Sequence, residues 1–219
     1  MTTIEVIELR TILDSRGNPT VEADIHTQGG FGRSAAPSGA STGSLEAKVR
    51  PPREAVEYAI QNVIPALIGL DSTDQQGFDE QLRDIDGTAN FAGIGANIAV
   101  ALSLANAKAA SSSMGLPLYR YLGGAFVNEM PLPLGNVIGG GAHAENATEI
   151  QEFLVVPGGA ANTEEAVLAN AAVHRHVKEL LKKKGKSCGK GDEGAWAPQI
   201  DDALAFELIA EATGLVADE

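Results

Sequence analysis

The chain has 219 residues, 44% of them hydrophobic, which is enough to bury one large core or two smaller ones. Its formal net charge of −13 argues against a nucleic-acid partner, because neutralising phosphates requires clustered lysine and arginine. There is no apolar run of about 18 residues and no secretory signal at the amino terminus, so we expect a cytoplasmic protein that does not enter a membrane. Cys188 is the only cysteine, which excludes an internal disulfide.

The beginning of the chain predicts a three-stranded antiparallel meander. Residues 3–12 are rich in β-branched side chains, and in residues 21–26 apolar and polar side chains alternate as in a half-buried strand. Turn-forming residues at 14–19 separate these strands, and two glycines at 29–30 precede a third strand over 31–36. The short turns favour strands that pair in chain order.

Helices are predicted for the next part of the chain. Pro52 is a suitable first helical residue, and Pro65 is expected to kink or interrupt the helix that Pro52 opens. The apolar stripe of this helix comprises Ala55, Val56, Ala59, Ile60 and Val63. Further helices are predicted over 75–85 and 95–114, followed by a short segment at 117–122. The many small side chains of 95–114 predict a helix that packs closely against a neighbour.

A second group of elements begins after residue 130. Residues 131–138 and 149–156 predict buried strands, because apolar residues dominate both segments. Asn162 opens a capping pattern that predicts a helix ending at Gly185, and a last helix is predicted over 201–214. The second group therefore has the order strand, strand, helix, helix.

A loop rich in hydroxyl groups spans residues 38–44. Its sequence, SGASTGS, contains two glycines and four side chains that carry a hydroxyl group. By composition alone this is an ordinary surface loop. The functional interpretation is a mobile lid whose oxygen atoms reach a hard cation.

Polar side chains lie around both predicted strands of the second group. His143 follows three glycines, and Gln151 and Glu152 lie among apolar residues, where burying a charge is costly unless it serves a function. Taken alone, His143 is more simply an exposed loop histidine, and Glu152 is more simply a strand-end carboxylate in a surface ion pair.

The segment 189–194 contains the spacing G-x-G-x-x-G, which is a dinucleotide-binding pattern in some proteins. We reject that interpretation because the lysine-rich residues 182–186, rather than an apolar strand, precede the glycines. Asp192 and Glu193 would also stand where a pyrophosphate must bind. A tight turn that presents two carboxylates is better suited to acid–base chemistry.

Five short stretches together resemble the motifs of the enolase family, in the family's order and with its approximate spacing. They are DSRGNPTVE at 14–22, PSGASTG at 37–43, IGANI at 94–98, IQEF at 150–153 and GDEG at 191–194. One such match is weak, whereas five collinear matches over nearly the whole chain are specific. The joint pattern outweighs the simpler interpretations of each stretch.

The resemblance implies an α+β amino-terminal domain, a three-stranded antiparallel meander plus helices, followed by an enolase-type β/α barrel. We place the boundary near 125–129. Residues 1–125 are then the first domain, and residues 130–219 are the first ββαα part of an incomplete barrel.

Enolases reversibly dehydrate 2-phosphoglycerate to phosphoenolpyruvate in glycolysis and gluconeogenesis. The proton that leaves is α to a carboxylate, so charge accumulates on a group that is already anionic, and the family uses two magnesium ions to stabilise it. A lysine is the base, and the poor leaving hydroxide needs a general acid. The resemblance therefore implies a magnesium-dependent lyase.

Residue by residue, Glu193 matches the glutamate that protonates the leaving hydroxyl, and Glu152 matches a second glutamate that supports it. In a barrel both would follow strand ends at the same mouth. Gln151 matches a neighbouring active-site glutamine, and His143 matches a histidine on a closing loop near the substrate. Ser41 matches the lid serine that ligates the second magnesium ion.

Arg16 and Glu22 match positions at the family's dimer interface, so the resemblance implies a homodimer for the complete enzyme. The chain also departs from the common pattern at Gly139, Ala142 and Ala195. None of these departures removes a matched catalytic group. They make the chain similar to an archaeal-type lineage.

The family's high-affinity magnesium ligands, its base lysine and its phosphate-binding residues come later in the barrel, and nothing here matches them. We therefore expect the 219 residues to be inactive alone, with a separate carboxy-terminal half as a further expected partner. Truncation, proteolysis and a split gene remain alternative origins. The main alternative function is a non-catalytic enolase-derived binding or scaffold domain. A superfamily member acting on another acid ranks lower, because such members generally lack this lid sequence.

Overall fold

The computed structural model describes residues 1–39, 42–191 and 193–217. It divides into two units, Met1–Val127 and Asn128–Glu219. Each unit has a hydrophobic core of its own. None of the helices in the described part of the chain combines the length and the apolar character that a membrane crossing requires.

The first unit begins with the predicted meander. Its strands are β1 (Ile4–Leu13), β2 (Pro19–Thr27) and β3 (Phe31–Ala35), paired antiparallel in that order. The side chain of Asp14 stabilises the turn between β1 and β2. Its Oδ1 accepts hydrogen bonds from the backbone N–H groups of Arg16 and Asn18, each at 2.8 Å. The α+β prediction for this unit is therefore confirmed.

Strand β2 is more buried than its alternating pattern predicts. Asp24 lies on its polar side, yet it is only 2% exposed. The guanidinium groups of Arg10 and Arg33 cover it and donate hydrogen bonds to both of its carboxylate oxygens. The prediction of a half-buried strand is wrong here, because the neighbouring arginines cover a polar face that alternation alone assigns to solvent.

The helices of the first unit follow the predicted order. They are α1 (Pro52–Asn62), α2 (Ile64–Leu67), α3 (Gln75–Asp86), α4 (Ala96–Ser113) and α5 (Leu118–Gly123). The prediction that Pro65 interrupts the first helix is confirmed, because α1 ends before Val63 and α2 begins after it. Ile60 is 49% exposed, so its place in the buried stripe is wrong. It lies at the rim of that stripe on the helical surface.

Helix α4 packs closely against the sheet, as its small side chains predict. Eleven of its residues are buried, six of them alanines. On the sheet side, a Cβ atom at Gly32 would collide with the backbone of Ala105 and Ala109. The close approach therefore depends on a glycine in β3 as well as on the alanines of α4.

The second unit has the predicted order of two strands and two helices. Strand β4 (Gly135–Gly139) pairs antiparallel with β5 (Glu152–Val155), and α6 (Thr163–Lys183) and α7 (Asp202–Ala217) follow. This is the start of the barrel, and the fold prediction is confirmed. The two strands are joined by residues 140–151, which contain one short 3-10 turn and no α-helix.

Both strands are shorter than predicted. Residues 131–134 include Pro131 and Pro133, which have no backbone N–H for a ladder, and pairing begins at Gly135. At the other strand, the backbone N–H groups of Glu149 and Ile150 face Asp202 Oδ1 at 3.1 and 3.3 Å. A helix-terminal carboxylate therefore takes the donors that a longer β5 would use.

Helix α6 begins as the capping pattern predicts. Asn162 Oδ1 accepts a hydrogen bond from the Glu165 backbone N–H at 2.9 Å, and Glu165 Oε2 accepts one from the Ala161 N–H at 3.0 Å. Ala166, Val173 and Val177 of this helix are buried, and the two valines belong to the core of the second unit. Helix α6 is thereby fixed beside the strands.

Candidate active site

Three segments converge on one region of the second unit. His143 ends a short 3-10 turn, Gly141–His143, that directly follows β4. The backbone N–H of Gly140 donates to Gln151 O at 3.0 Å, and that of Gly141 donates to Thr148 O at 2.9 Å. These bonds fold the 140–151 link back on itself, so His143 lies beside the start of β5.

Glu152 is the first residue of β5 and pairs with Gly139, the last residue of β4. The expectation that it follows a strand end is therefore wrong. Because β4 and β5 are antiparallel, the beginning of β5 lies beside the end of β4, and Glu152 reaches the same region by that route.

Glu193 lies on a tight turn. Gly191 N–H donates to Ala195 O at 2.9 Å, and Gly194 N–H donates to Gly191 O at 3.0 Å. The turn is attached to β4, because Trp196 N–H donates to Val137 O at 3.0 Å and Gly139 N–H donates to Trp196 O at 2.9 Å. Asp192, which belongs to the same sequence motif, lies outside the described residues.

The side chains of three residues meet. His143 Nδ1 lies 3.8 Å from Glu152 Oε1 and 3.6 Å from Glu193 Oε2. One ligand atom from each of the three side chains lies within 4.8 Å of the others. Residues that are far apart in the chain are thus brought into a single acid–base cluster.

Gln151 fixes the orientation of the imidazole. Its Nε2 lies 3.1 Å from His143 Nε2. An amide nitrogen can only donate, so His143 Nε2 accepts, and the neutral ring carries its proton on Nδ1. That atom is buried and has no partner within hydrogen-bond distance. Nδ1 therefore lies near Glu152 and Glu193 without a hydrogen bond to either.

The cluster is open to solvent on one side. The side chains of Glu152 and Glu193 are 38% and 51% exposed, whereas that of His143 is 12% exposed. The expected burial of the Gln151-Glu152 pair is wrong, since both residues are exposed at the edge of the two-stranded sheet. A cavity of about 420 Å³ lies beside His143, and Glu145 and Lys190 contribute charged side chains to its lining. A small molecule in solvent therefore has access to the two carboxylates.

Sequence reasoning missed Asn136. Its Nδ2 donates to Glu193 Oε2 at 3.2 Å, and its Oδ1 is buried without a hydrogen-bond partner. The available signal was an amide inside a segment predicted to be a buried strand. It was overlooked because the contact crosses to a loop far along the chain.

His174 was also missed. From α6 its Nε2 lies 3.1 Å from Gly194 O, and its ring stacks on Trp196 with centroids 4.8 Å apart. Burial is the largest effect on the pKa of His174 and lowers it. The nearby positive charges of Lys190 and Lys178 lower it further. No motif marked this residue, since a half-buried histidine on a helix has no distinctive spacing.

Among the described residues, two clusters bring together three side chains of the types that bind metal ions. In the first, His143, Glu152 and Glu193 provide one imidazole and two carboxylates. Magnesium prefers an all-oxygen shell, so this mixed set is better suited to proton transfer. In the second, Glu8 and His26 flank Asp24, whose oxygens already accept hydrogen bonds from two arginines. That second cluster does not fit a cation.

The remaining predicted residues lie in the first unit. Ser41 falls outside the described residues. Arg16 Nη2 donates to Ser38 O at 2.9 Å, whereas Glu22 Oε1 accepts from Arg10 Nε at 2.7 Å. Arg16 and Glu22 therefore have separate partners on the loop and on the sheet.

Two family models match the chain: the enolase N-terminal domain over residues 4–122 and the enolase C-terminal TIM barrel domain over residues 127–216. The chain is 66% identical over 220 residues to an enolase of Methanocorpusculum labreanum. It is 56% identical over 221 residues to one of Halorubrum lacusprofundi, and 53% identical over 222 residues to one of Methanothermobacter thermautotrophicus. All three relatives are archaeal.

These alignments cover at least 99% of this chain but only 53% to 55% of each relative. The chain thus spans about half the length of the curated relatives it matches. Each of its two units is matched by a different enolase domain, in the family's order, and the chain belongs to the enolase family.

Proposed function

We propose that His143, Glu152 and Glu193 form the acid–base part of an enolase active site, which interconverts 2-phosphoglycerate and phosphoenolpyruvate in glycolysis and gluconeogenesis. The observation that carries the proposal is the convergence of two carboxylates and an imidazole within 4.8 Å, at positions that resemble the family's motifs. The relatives named enolase support the family, and with it an activity of this class.

Glu193 is the proposed general acid. The hydroxide that leaves the substrate is a poor leaving group and has to be protonated as it departs. Asn136 donates to Glu193 Oε2, so in the neutral acid the proton belongs on Oε1, the oxygen free to face the substrate. Glu152 is the proposed support of this acid, and its Oε1 lies near the same His143 nitrogen as Glu193 Oε2.

His143, Gln151 and Glu152 are the proposed substrate-binding groups. Gln151 Nε2 contacts the other ring nitrogen, and Nδ1 lies 3.8 and 3.6 Å from the two carboxylates. The ring can thus offset part of their negative charge when an anionic substrate approaches. Substrate affinity is expected to depend on these three residues, while the proton transfer depends on Glu193.

Magnesium is the proposed cofactor, with two ions for each active site of the complete enzyme. When bound, it stabilises the negative charge that develops on the substrate carboxylate. Within these 219 residues only Ser41 is proposed as a ligand, and the ligands of the tighter-binding ion belong to the rest of the barrel. The same proposal makes the complete enzyme a cytoplasmic homodimer with Arg16 and Glu22 at its interface.

We propose that the 219 residues do not turn over substrate alone, because the family's base lysine and metal carboxylates belong to later barrel strands. The test mixes the purified chain with magnesium, 2-phosphoglycerate and the separately expressed carboxy-terminal half of the Methanocorpusculum labreanum enolase. Formation of phosphoenolpyruvate is followed by ultraviolet absorbance. We expect none from the chain alone and a clear rate from the mixture.

Two variants decide which residues carry that rate. Glu193→Gln should lower the rate of the mixture about 100-fold or more, the range for loss of a general acid. Glu207→Gln, at an exposed position on α7, is the matched control and should leave the rate unchanged. An inactive mixture in which both halves are folded and bound to each other would favour the non-catalytic alternative.

A further inference from the structure

We propose that His174 is a positioning residue of this site: from helix α6 it holds the turn that presents Glu193, through a hydrogen bond to the carbonyl oxygen of Gly194. The catalytic consequence rests on the proposed function of Glu193. The positioning itself rests on contacts that do not depend on any activity.

This hydrogen bond determines which nitrogen of the His174 imidazole carries a proton. His174 Nε2 lies 3.1 Å from Gly194 O, and a carbonyl oxygen can only accept. Nε2 therefore carries a proton in both the neutral and the charged ring. Gly194 has a φ of +85°, so the turn bends sharply at the residue that follows Glu193. The carbonyl held by His174 belongs to that bend.

A second hydrogen bond runs in the opposite direction. Trp196 Nε1–H donates to the backbone oxygen of His174 at 2.8 Å, and the two rings stack at an interplanar angle of 25°. Helix α6 and the turn are thus joined on both sides of Ala195, which is 2% exposed. Since the backbone of Trp196 also bonds to β4, the turn is clamped between a strand and a helix.

The stack alone does not account for a histidine at this position. A phenylalanine would stack on Trp196 equally well, but it could not donate to Gly194 O. Lys178 and Lys190 lie 5.4 and 5.0 Å from the centre of the Trp196 ring, and their positive charges disfavour only the protonated imidazole, so the neutral ring can serve as the donor. The specific feature that histidine adds is therefore the Nε2–H donor.

The first experiment measures the contact in the 219-residue chain itself. Trp196 is the only tryptophan, so its fluorescence reports on His174 without any need for turnover. A charged imidazole quenches indole emission on contact, and we expect wild-type emission to fall as the pH drops below the usual histidine range. His174→Phe should abolish this step, whereas His176→Gln, whose histidine faces Glu179 at 3.7 Å, should keep it. A step that persists in His174→Phe would overturn the assigned contact.

The second experiment measures positioning, by hydrogen exchange at the amides of Gly191 and Gly194 in the same chain. Both amides donate within the turn. His174→Phe should speed their exchange about tenfold, because it removes one hydrogen bond. His174→Gln restores a donor and should recover most of the protection. Equal protection in wild type and His174→Phe would refute the positioning role.

The third experiment connects positioning to chemistry in the complemented enzyme. We expect His174→Phe to lower kcat about tenfold with little change in KM, and His174→Gln to recover it in part. A purely structural role predicts equal losses for both variants, and that result would contradict the proposal. Failure of the enolase proposal shows instead as an inactive wild-type mixture, with the fluorescence and exchange results intact.

Discussion

Asp24 is a buried carboxylate held between two arginines. The hydrogen bond from Arg33 is the largest effect on it and lowers its pKa, and Arg10 lowers it further, while burial acts in the opposite direction. Because the folded-state pKa is lowered, the stabilisation is present above the ordinary aspartate value of about 3.9. It is lost as the pH falls through the lowered folded value.

Asp24→Asn should therefore destabilise the first unit at pH 7. Removing one partner of a buried ion pair leaves the arginines uncompensated. Since Arg10 and Arg33 are 35% and 53% exposed at their side chains, we expect a loss of about 1–3 kcal/mol rather than more. Urea unfolding at several pH values measures it, and the difference from wild type should shrink below about pH 4. The exposed Asp84→Asn serves as the control, and a loss that is constant down to pH 2 would contradict the assignment.

Among the residues of the candidate site, Asn136 and His174 could not be identified from sequence motifs. Glu152 and Glu193 lie in short sequence patterns, so a reader of the chain alone can name them. Asn136 and His174 act through contacts with Glu193 and Gly194 that the fold creates. Sequence spacing carries no information about such contacts, because they join a strand and a helix to a distant turn.

Among the elements, the contact between β3 and α4 allows a sharp test of packing. Gly32→Ala should destabilise the first unit by about 1–3 kcal/mol, because the added Cβ meets the backbone of Ala105 and Ala109, which cannot move without shifting α4. Thermal unfolding of the chain measures the effect.

The matched control for that change is Gly214→Ala on α7. A Cβ at Gly214 meets nothing within 4 Å, and alanine favours a helix interior, so this variant should stabilise the second unit by about 0.5–1 kcal/mol. If Gly32→Ala were as harmless as Gly214→Ala, the close approach of α4 to the sheet would be wrong.

The sequence predicted the elements well where periodicity and proline act locally. The meander, the break at Pro65 and the cap at Asn162 all follow from neighbouring residues. The ends of β4 and β5 were not predicted correctly. They depend on which distant group accepts hydrogen bonds from the backbone N–H groups, as Asp202 does for Glu149. The prediction that Asp24 is exposed was wrong for a similar reason, since two arginines from adjacent strands cover it.

For the molecule as a whole, the two cores are separate. The first comprises buried residues from Ile4 to Ala109, and the second comprises buried residues from Val137 to Ala212. The first unit therefore contains a complete sheet-and-helix core. Its stability should not require the rest of the chain.

We accordingly expect residues 1–127, expressed alone, to unfold in one cooperative transition. Hydrogen exchange should show slow amides in β2 and α4, because these elements form the centre of the first core. Complete exchange of β2 and α4 within seconds would show that the first unit depends on the second. The Gly32→Ala variant of the same fragment should lower the transition temperature, which links this prediction to the packing test.

The antiparallel pairing of β4 and β5 has a consequence for how this site can vary. A parallel pair needs a crossover, usually through a helix, whereas an antiparallel pair is joined directly. Residues 140–151 make that direct connection and carry His143 and Gln151 on a single span of backbone. The imidazole and its orienting amide therefore lie on one continuous loop, and we expect a replacement of residues 140–151 to change both groups together without displacing an α-helix.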